Sequence, residues 1–384
     1  MSVTFARGFA ASGVAAGLKS NGNLDLALVV NRGPNEAAAA VFTTNRAKAN
    51  PIIWSQRAVA DGRARAVLLN SGGANCYTGA EGFQTTHHSA ERVAHLLELS
   101  AADVLVCSTG MIGVQLDRHA VLEGIELAVG ALSEDDSLNP ALAIMTTDSV
   151  PKHATRESRT GWRIGGIAKG AGMLAPNLAT MLVVITTDAA VAADDLQPAL
   201  EQAVRVTFNR LDADGCTSTN DQVTLLASGR SGLAPEADDF QELLTELCRD
   251  LAEQLIADAE GASHTIRIRV AGAATESDAE AIARTLARNS LFKTAIYGND
   301  PNWGRILAAI GVAPVDFDPM AVSVSINGVR IAANGAPDAD PATVDLTQRE
   351  VRIDIELASG SAEIELLTND LTEKYVVENS AYSS

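Results

Sequence analysis

The chain has 384 residues, 47% hydrophobic and 20% charged, with a formal net charge of −19. That acidic surplus, without any cluster of Lys and Arg, excludes nucleic acid and anionic membrane surfaces as partners, since both demand concentrated positive charge. No apolar run approaches the ~20 residues that span a bilayer, and four scattered cysteines without a CxxC fit a reducing cytoplasm.

The N-terminal stretch is broken by Gly8, Gly13 and Gly17 and has no apolar h-region, so it is not read as a signal peptide. Short strands are predicted over Asp25–Val30, Ala39–Phe42, Ala66–Asn70 and Asp103–Cys107, each bounded by turn residues. Helices are predicted over Thr85–Leu99 and Leu116–Leu132. Met181–Ile185 is an apolar strand. The clearest helix is Pro235–Asp258, with Phe240, Leu243, Leu244, Leu247, Leu251 and Leu255 on one face. Beyond residue 260 the pattern turns to alternation: Thr265–Val270, Val322–Ile326, Val351–Leu357 and Ala362–Leu367 read as half-exposed strands, with a helix over Ser277–Asn289 among them. The expected fold is α/β, with mixed or antiparallel sheets. No GxGxxG follows a strand, which disfavours a doubly wound nucleotide-binding fold.

The most unusual stretch is Gly165–Asp188, GGIAKGAGMLAPNLATMLVVITTD, with four glycines in eight residues around Lys169. It reads as a glycine-rich loop that bends sharply into a strand. One interpretation is a plain tight turn. The other makes Thr180 a latent nucleophile, activated once cleavage at Ala179-Thr180 frees its α-amine as the adjacent base. That amine titrates near ~8, so much of it is unprotonated at neutral pH.

KGAGMLAPNLATML, Lys169–Leu182, resembles the signature of the ornithine acetyltransferase / glutamate N-acetyltransferase family of arginine biosynthesis. The resemblance runs through GVAAGLKSNG (Gly13–Gly22), VFTTNR (Val41–Arg46), CSTGMIG (Cys107–Gly113), MTTDSVPK (Met145–Lys152) and STNDQVTLLA (Ser218–Ala227). It continues through EGAS (Glu260–Ser263), YGNDPNWGRI (Tyr297–Ile306) and ENSAYSS (Glu378–Ser384). NSGGANCYTG at Asn70–Gly79 departs from the family's NSGNANACTG, and Ala171, Ser149 and Cys216 are further departures.

The resemblance implies a layered sandwich of sheets covered by helices, with a smaller C-terminal α/β subdomain. It implies self-cleavage into an α chain, residues 1–179, and a β chain, residues 180–384, with two of each in a heterotetramer. Thr180 would take the acetyl group of N-acetylornithine as an ester and pass it to glutamate. The family's oxyanion pair matches Thr109 and Gly110. Its substrate contacts match Thr146, Lys169, Thr180, Glu260, Asn379 and Ser384. No bound cofactor or metal is implied; acetyl-CoA is expected as a second acetyl donor.

His87, His88 and His95 read as a solvated helix face, and Asp212, Asp214 and Asp221 fail the spacing of a calcium loop. Two other functions fit the residues. One is a self-cleaving amidase, aminopeptidase or secondary-metabolism acetyltransferase with the same nucleophile. The other is an uncut, non-catalytic module that binds acylated amino acids.

Overall fold

The computed structural model describes residues 2–135, 137–173 and 181–381. The chain divides into two compact units. The first gathers residues up to Met173, those from Met181 to Asn209, and Cys216–Leu255; the second gathers Arg210–Gly215 and the residues from Ile256 onward. The expected division after residue 179 concerns covalent pieces, and the first unit draws residues from both sides of it.

The first unit contains, in chain order, β1 (Phe9–Val14), β2 (Leu26–Asn31), β3 (Ala37–Phe42), α1 (Asn50–Ala58), β4 (Ala66–Asn70), α2 (Gly79–Leu97) and β5 (Val104–Ser108). There follow α3 (Arg118–Gly130), α4 (Asn139–Ile144), β6 (Lys152–Glu157), β7 (Arg163–Lys169), β8 (Leu182–Thr187), α5 (Ala193–Arg205), β9 (Gln222–Ala227) and α6 (Ala237–Ala257). Two sheets result, ordered β1-β2-β4-β5 and β3-β9-β8-β7-β6. In each, one parallel pair, β4-β5 or β8-β9, interrupts an antiparallel order.

The two-residue period of the strands sorts the first sheet's side chains. Ala27, Val29, Val67, Leu69, Leu105 and Cys107 turn inward and share a core with Ala38, Ile167, Leu182, Val184 and Leu226 of the second sheet. Leu26, Leu28, Val30, Leu68, Val104 and Val106 turn outward beneath Val93 of α2 and Val121 and Ile125 of α3. Each such buried aliphatic side chain contributes about 1.5–3 kcal/mol. The edge strand β5 is shielded by α1: Trp54 Nε1 donates to Val104 O at 2.9 Å and Ser55 Oγ to Val106 O at 2.8 Å. On the far side of the second sheet, α6 brings Leu247 and Leu251 against Gly166. Trp162 packs on Phe240 with ring centroids 5.6 Å apart. The order is helix, sheet, sheet, helix.

The second unit contains β10 (Thr265–Ala273), α7 (Glu276–Ala287), α8 (Ser290–Tyr297), α9 (Trp303–Ile310), β11 (Ser323–Ile326), β12 (Val329–Ala333), β13 (Ala336–Pro337), β14 (Glu350–Glu356), β15 (Ala362–Asn369) and α10 (Glu373–Ala381). Its sheet runs β13-β12-β11-β14-β10-β15. Ile266, Ile268, Val270, Val351, Ile353 and Ile355 pack on Ile282 and Leu286 of α7, Phe292 of α8 and Ile306 of α9. The opposite face carries Arg267 and Arg269, paired with Glu365 and Glu363.

The expected layered α/β sandwich with a smaller C-terminal α/β unit is present, and the glycine-rich stretch needs one correction. Gly165 and Gly166 are not loop residues; they lie inside β7, whose last residue is Lys169. They are glycines because neighbours occupy the space of a side chain: a Cβ on Gly165 would stand 2.3 Å from Ser2 O, and one on Gly166 3.1 Å from Leu251 Cδ1. Helix α2 also begins six residues before the expected Thr85. Gly79 and Gly82 masked that turn, yet Gly82 is required, since a Cβ there would lie 1.9 Å from Thr78 Oγ1. Pro235 precedes α6 rather than opening it.

Substituting Gly165→Ala is expected to lower the melting temperature through a backbone clash of about 1–3 kcal/mol. Gly130→Ala, at an exposed helical position with nothing within 4 Å of the added carbon, is expected to leave it unchanged or raise it. Equal melting temperatures for the two variants would refute this account of the strand glycines.

Candidate active site

Strand register places one row of residues at a single end of the second sheet. Lys169 of β7 lies opposite Leu182 of β8, which lies opposite Gln222 of β9, which lies opposite Phe42 of β3. From the first sheet, β5 ends at Ser108 and delivers Thr109 and Gly110 to the same place. Asn220 joins the sheets there, its Nδ2 donating to Ser108 O at 2.8 Å and to Ala74 O at 2.6 Å. Gly110 has φ +130°, and a Cβ on it would meet Gly73 Cα and N at 2.9 Å. A side chain is therefore excluded at Gly110 by conformation and by space alike.

Lys169 is almost wholly buried. Its Nζ donates to Thr146 Oγ1 at 2.7 Å and to Thr109 Oγ1 at 3.4 Å. A hydroxyl that accepts from an ammonium keeps its own hydrogen for another acceptor. The opposing charge comes from Asp148, also buried, 3.7 Å from Lys169 Nζ and 2.6 Å from Lys152 Nζ. Asp148 further accepts from the amides of Thr146 at 2.9 Å and Gly170 at 2.6 Å. Burial acts to raise its pKa, but the Lys169 and Lys152 ammoniums and these hydrogen bonds outweigh it. The carboxyl is held well below its ordinary range.

Thr146 and Asp148 also line a cleft of about 310 Å³ with Lys19, Asn21, Asn23, Leu24, Leu142 and Met145. Lys19 Nζ donates to Met145 O at 2.7 Å and Leu24 O at 3.1 Å. Burial lowers its pKa, Asp25 opposes that, and Lys169 adds to it. Cys107, just before the Ser108-Thr109-Gly110 turn, is fully buried, which pushes its thiol far up and removes it as a nucleophile.

The second unit brings Glu260 and Asn379 together: Asn379 Nδ2, on α10, donates to Glu260 Oε2 at 2.9 Å and to Tyr375 O at 3.0 Å. Among the expected site residues, then, Thr109, Gly110, Thr146 and Lys169 meet in the first unit, and Glu260 and Asn379 pair in the second. Ala179, Thr180 and Ser384 lie outside the described residues.

Asp148, Lys152, Lys19 and Asn220 were not singled out from sequence, and Asp221 was weighed there only as part of a calcium loop whose spacing fails. Asp148 and Lys152 stand four apart in MTTDSVPK, a spacing that carries no information about burial. His87 and His88 are half-exposed on α2 and His95 is exposed. Among the described residues, no three His, Cys, Asp or Glu side chains are gathered as a metal would require.

The ArgJ family model matches residues 10–384. The arginine biosynthesis bifunctional protein ArgJ of Streptomyces coelicolor is 55% identical over 384 residues, with 100% of each chain covered. Its counterpart from Streptomyces avermitilis is likewise 55% identical, with 100% of each chain covered. A solved ornithine acetyltransferase from Mycobacterium tuberculosis, complexed with ornithine, is 48% identical over 47% of this chain and 96% of its own, with a TM-score of 0.45. A match along nearly the whole length, with relatives more than half identical from end to end, leaves one assignment: this chain belongs to the ArgJ family.

Proposed function

We propose that this protein is an acyltransferase of arginine biosynthesis that moves an acetyl group from N-acetylornithine to glutamate, using Thr180 as its nucleophile. The observation that carries this reading is the buried Lys169 ammonium set between the hydroxyls of Thr109 and Thr146, in a chain of this family. Acyl transfer builds negative charge on a carbonyl oxygen, and donors fixed in advance stabilise it by ~3 kcal/mol each. Thr109, accepting from Lys169, has a hydroxyl hydrogen to offer. The Gly110 amide is the second donor of this proposal.

The chain first cleaves itself between Ala179 and Thr180. The freed α-amine then takes the proton from the Thr180 hydroxyl as that oxygen attacks the acetyl carbon. Ornithine leaves, the acetyl group stays as an ester, and the amine of glutamate attacks it. Lys169 faces the substrate carboxylate, and Glu260, Asn379 and Ser384 complete substrate recognition. The amine of the bound amino acid suits Glu260, a carboxylate. Acetyl-CoA serves as a further acetyl donor, and the working protein pairs two α and two β pieces in the cytoplasm.

Intact-mass spectra are expected to show two species of about 19 and about 21 kDa, in proportion to their shares of the 40.0 kDa chain, and one full-length species for Thr180→Ala. An uncut wild-type chain would defeat the proposal. Acetyl release without transfer to glutamate would turn it toward an amidase. Lys169→Met is expected to reduce kcat/KM for acetyl transfer by about 10²–10³-fold, in line with the loss of a buried charge at an acyl-transfer site; a wild-type value would remove Lys169 from the site. Asp148→Asn removes the carboxylate that pairs with two buried ammoniums and is expected to destabilise the fold by about 3–5 kcal/mol, read from denaturant unfolding. Because the Asp148 carboxyl is held below its ordinary range, its stabilisation is complete above pH ~4 and lost only as pH falls further. The wild type should therefore hold its stability from pH 8 to 5 as far as this group is concerned, and the deficit of Asp148→Asn should be constant over that range.

A further inference from the structure

Self-cleavage poses a problem that the mature nucleophile does not. Before the cut, the nitrogen of Thr180 is part of the peptide bond and cannot act as a base. Yet the hydroxyl must lose a proton and the departing nitrogen must gain one. Some other group has to carry that proton, and it has to sit beside residues 179–181.

Asp221 is a carboxyl beside the last of these, Met181. It is fully buried at the entrance to β9. The parallel register of Leu182 with Gln222 sets Met181 beside it. Two hydrogen bonds fix the alignment: Gln222 N donates to Met181 O at 3.2 Å, and Met181 N donates to Asp221 Oδ1 at 3.1 Å. From the other side, Thr43 N donates to the Asp221 carbonyl at 3.0 Å. The carboxyl thus grips the amide joined directly to the Thr180 carbonyl carbon. Standard bond lengths keep the nitrogens of Thr180 and Met181 within about 4 Å of each other.

The second carboxyl oxygen, Oδ2, is buried, and among the described residues no hydrogen bond to it is formed. An unsatisfied buried carboxyl oxygen costs stability and calls for a reason. Burial pushes the Asp221 carboxyl well above the ordinary range. The Met181 amide, the Ser218 hydroxyl, Lys169 and Thr43 all pull the other way. The upward shift favours the protonated form, the form in which Oδ2 carries a hydrogen. Lys169, at the end of β7, is the charged side chain acting on it. The acetyl-transfer scheme makes no use of Asp221.

We propose that Asp221 is the proton relay of self-cleavage. As Thr180 Oγ bonds to the Ala179 carbonyl carbon and the carbon–nitrogen bond breaks, the electron pair of that bond passes to nitrogen. Asp221 gives its proton to this nitrogen and takes the proton of the Thr180 hydroxyl, so it ends as it began. Water then adds to the ester carbon and the carbon–Oγ bond breaks. The Ala179 carboxylate and a free Thr180, with amine and hydroxyl restored, are released. This inference rests on the proposed cleavage at Ala179-Thr180.

The test is the rate of cleavage of full-length Asp221→Asn, followed by intact mass after synthesis, beside wild type and Thr180→Ala. Asparagine keeps the shape and can still accept from the Met181 amide, but it cannot relay a proton. Cleavage is expected to slow by about 10²-fold or more, the usual scale of acid–base help, with a melting temperature near that of the uncut Thr180→Ala chain. Cleavage of Asp221→Asn at the wild-type rate overturns the relay and leaves the proposed function standing. A wild-type chain that stays whole overturns both. If Asp221→Asn melts far below Thr180→Ala, the pH dependence of wild-type cleavage decides: the rate should fall as pH rises and the acid loses its proton, and a flat profile from pH 5 to 9 sinks the relay.

Discussion

A carboxylate with no exposure to water has to be compensated, and Asp148 is compensated by two ammoniums and two amides at once. The rest of the site depends on this arrangement. Through Gly170 it holds the end of β7, through Thr146 the loop after α4, and through Lys152 the start of β6. Lys169 can therefore remain charged among apolar strands while it meets two threonine hydroxyls. Removal of one member of such a cluster strands the others, which is why buried ion groups are costly to break even where they contribute little net stability.

The sandwich explains why the cluster sits where it does. Its two sheets are joined through a shared apolar core, so the polar groups collect where strands end and backbone groups are left without ladder partners. Asn220 reaches from the second sheet to carbonyls at the end of the first, and fixes the Thr109-Gly110 turn against the row that begins at Lys169. Catalytic preorganisation of this kind costs nothing at the moment of reaction because folding has already ordered the donors. A parallel pair, β8-β9, brings Met181 and Asp221 side by side, so the chemistry proposed for cleavage and that proposed for acetyl transfer share one sheet end. Lys169 acts on both the Asp148 carboxyl and the Asp221 carboxyl, with opposite outcomes. Asp148 is surrounded by enough positive charge to stay ionised, whereas at Asp221 burial prevails.

Much of this was legible in the residues. The alternation of Thr265–Val270 became β10, with Ile266, Ile268 and Val270 inward and Arg267 and Arg269 outward. The leucine face of α6 and the strands at Ala66–Asn70 and Val104–Ser108 followed from periodicity and flanking turns. Thr109, Thr146 and Lys169, named from motifs far apart in the chain, came together. Pattern reading failed where a residue's reason lay in a neighbour distant in sequence: Gly165 answers to Ser2, Gly166 to Leu251 and Gly82 to Thr78, so a strand read as a loop and a helix lost its first turn.

The sequence by itself determined the class of fold, the two textures of the chain, the family motifs and the residue types able to perform acyl transfer. Those follow from local periodicity and from the chemistry each side chain carries. Only the tertiary structure decided which charges are buried and with whom. Asp148, Lys152 and Asp221 look like ordinary surface residues in a one-dimensional reading. Their ionisation is set by the absence of water and by partners that strand register alone brings within reach.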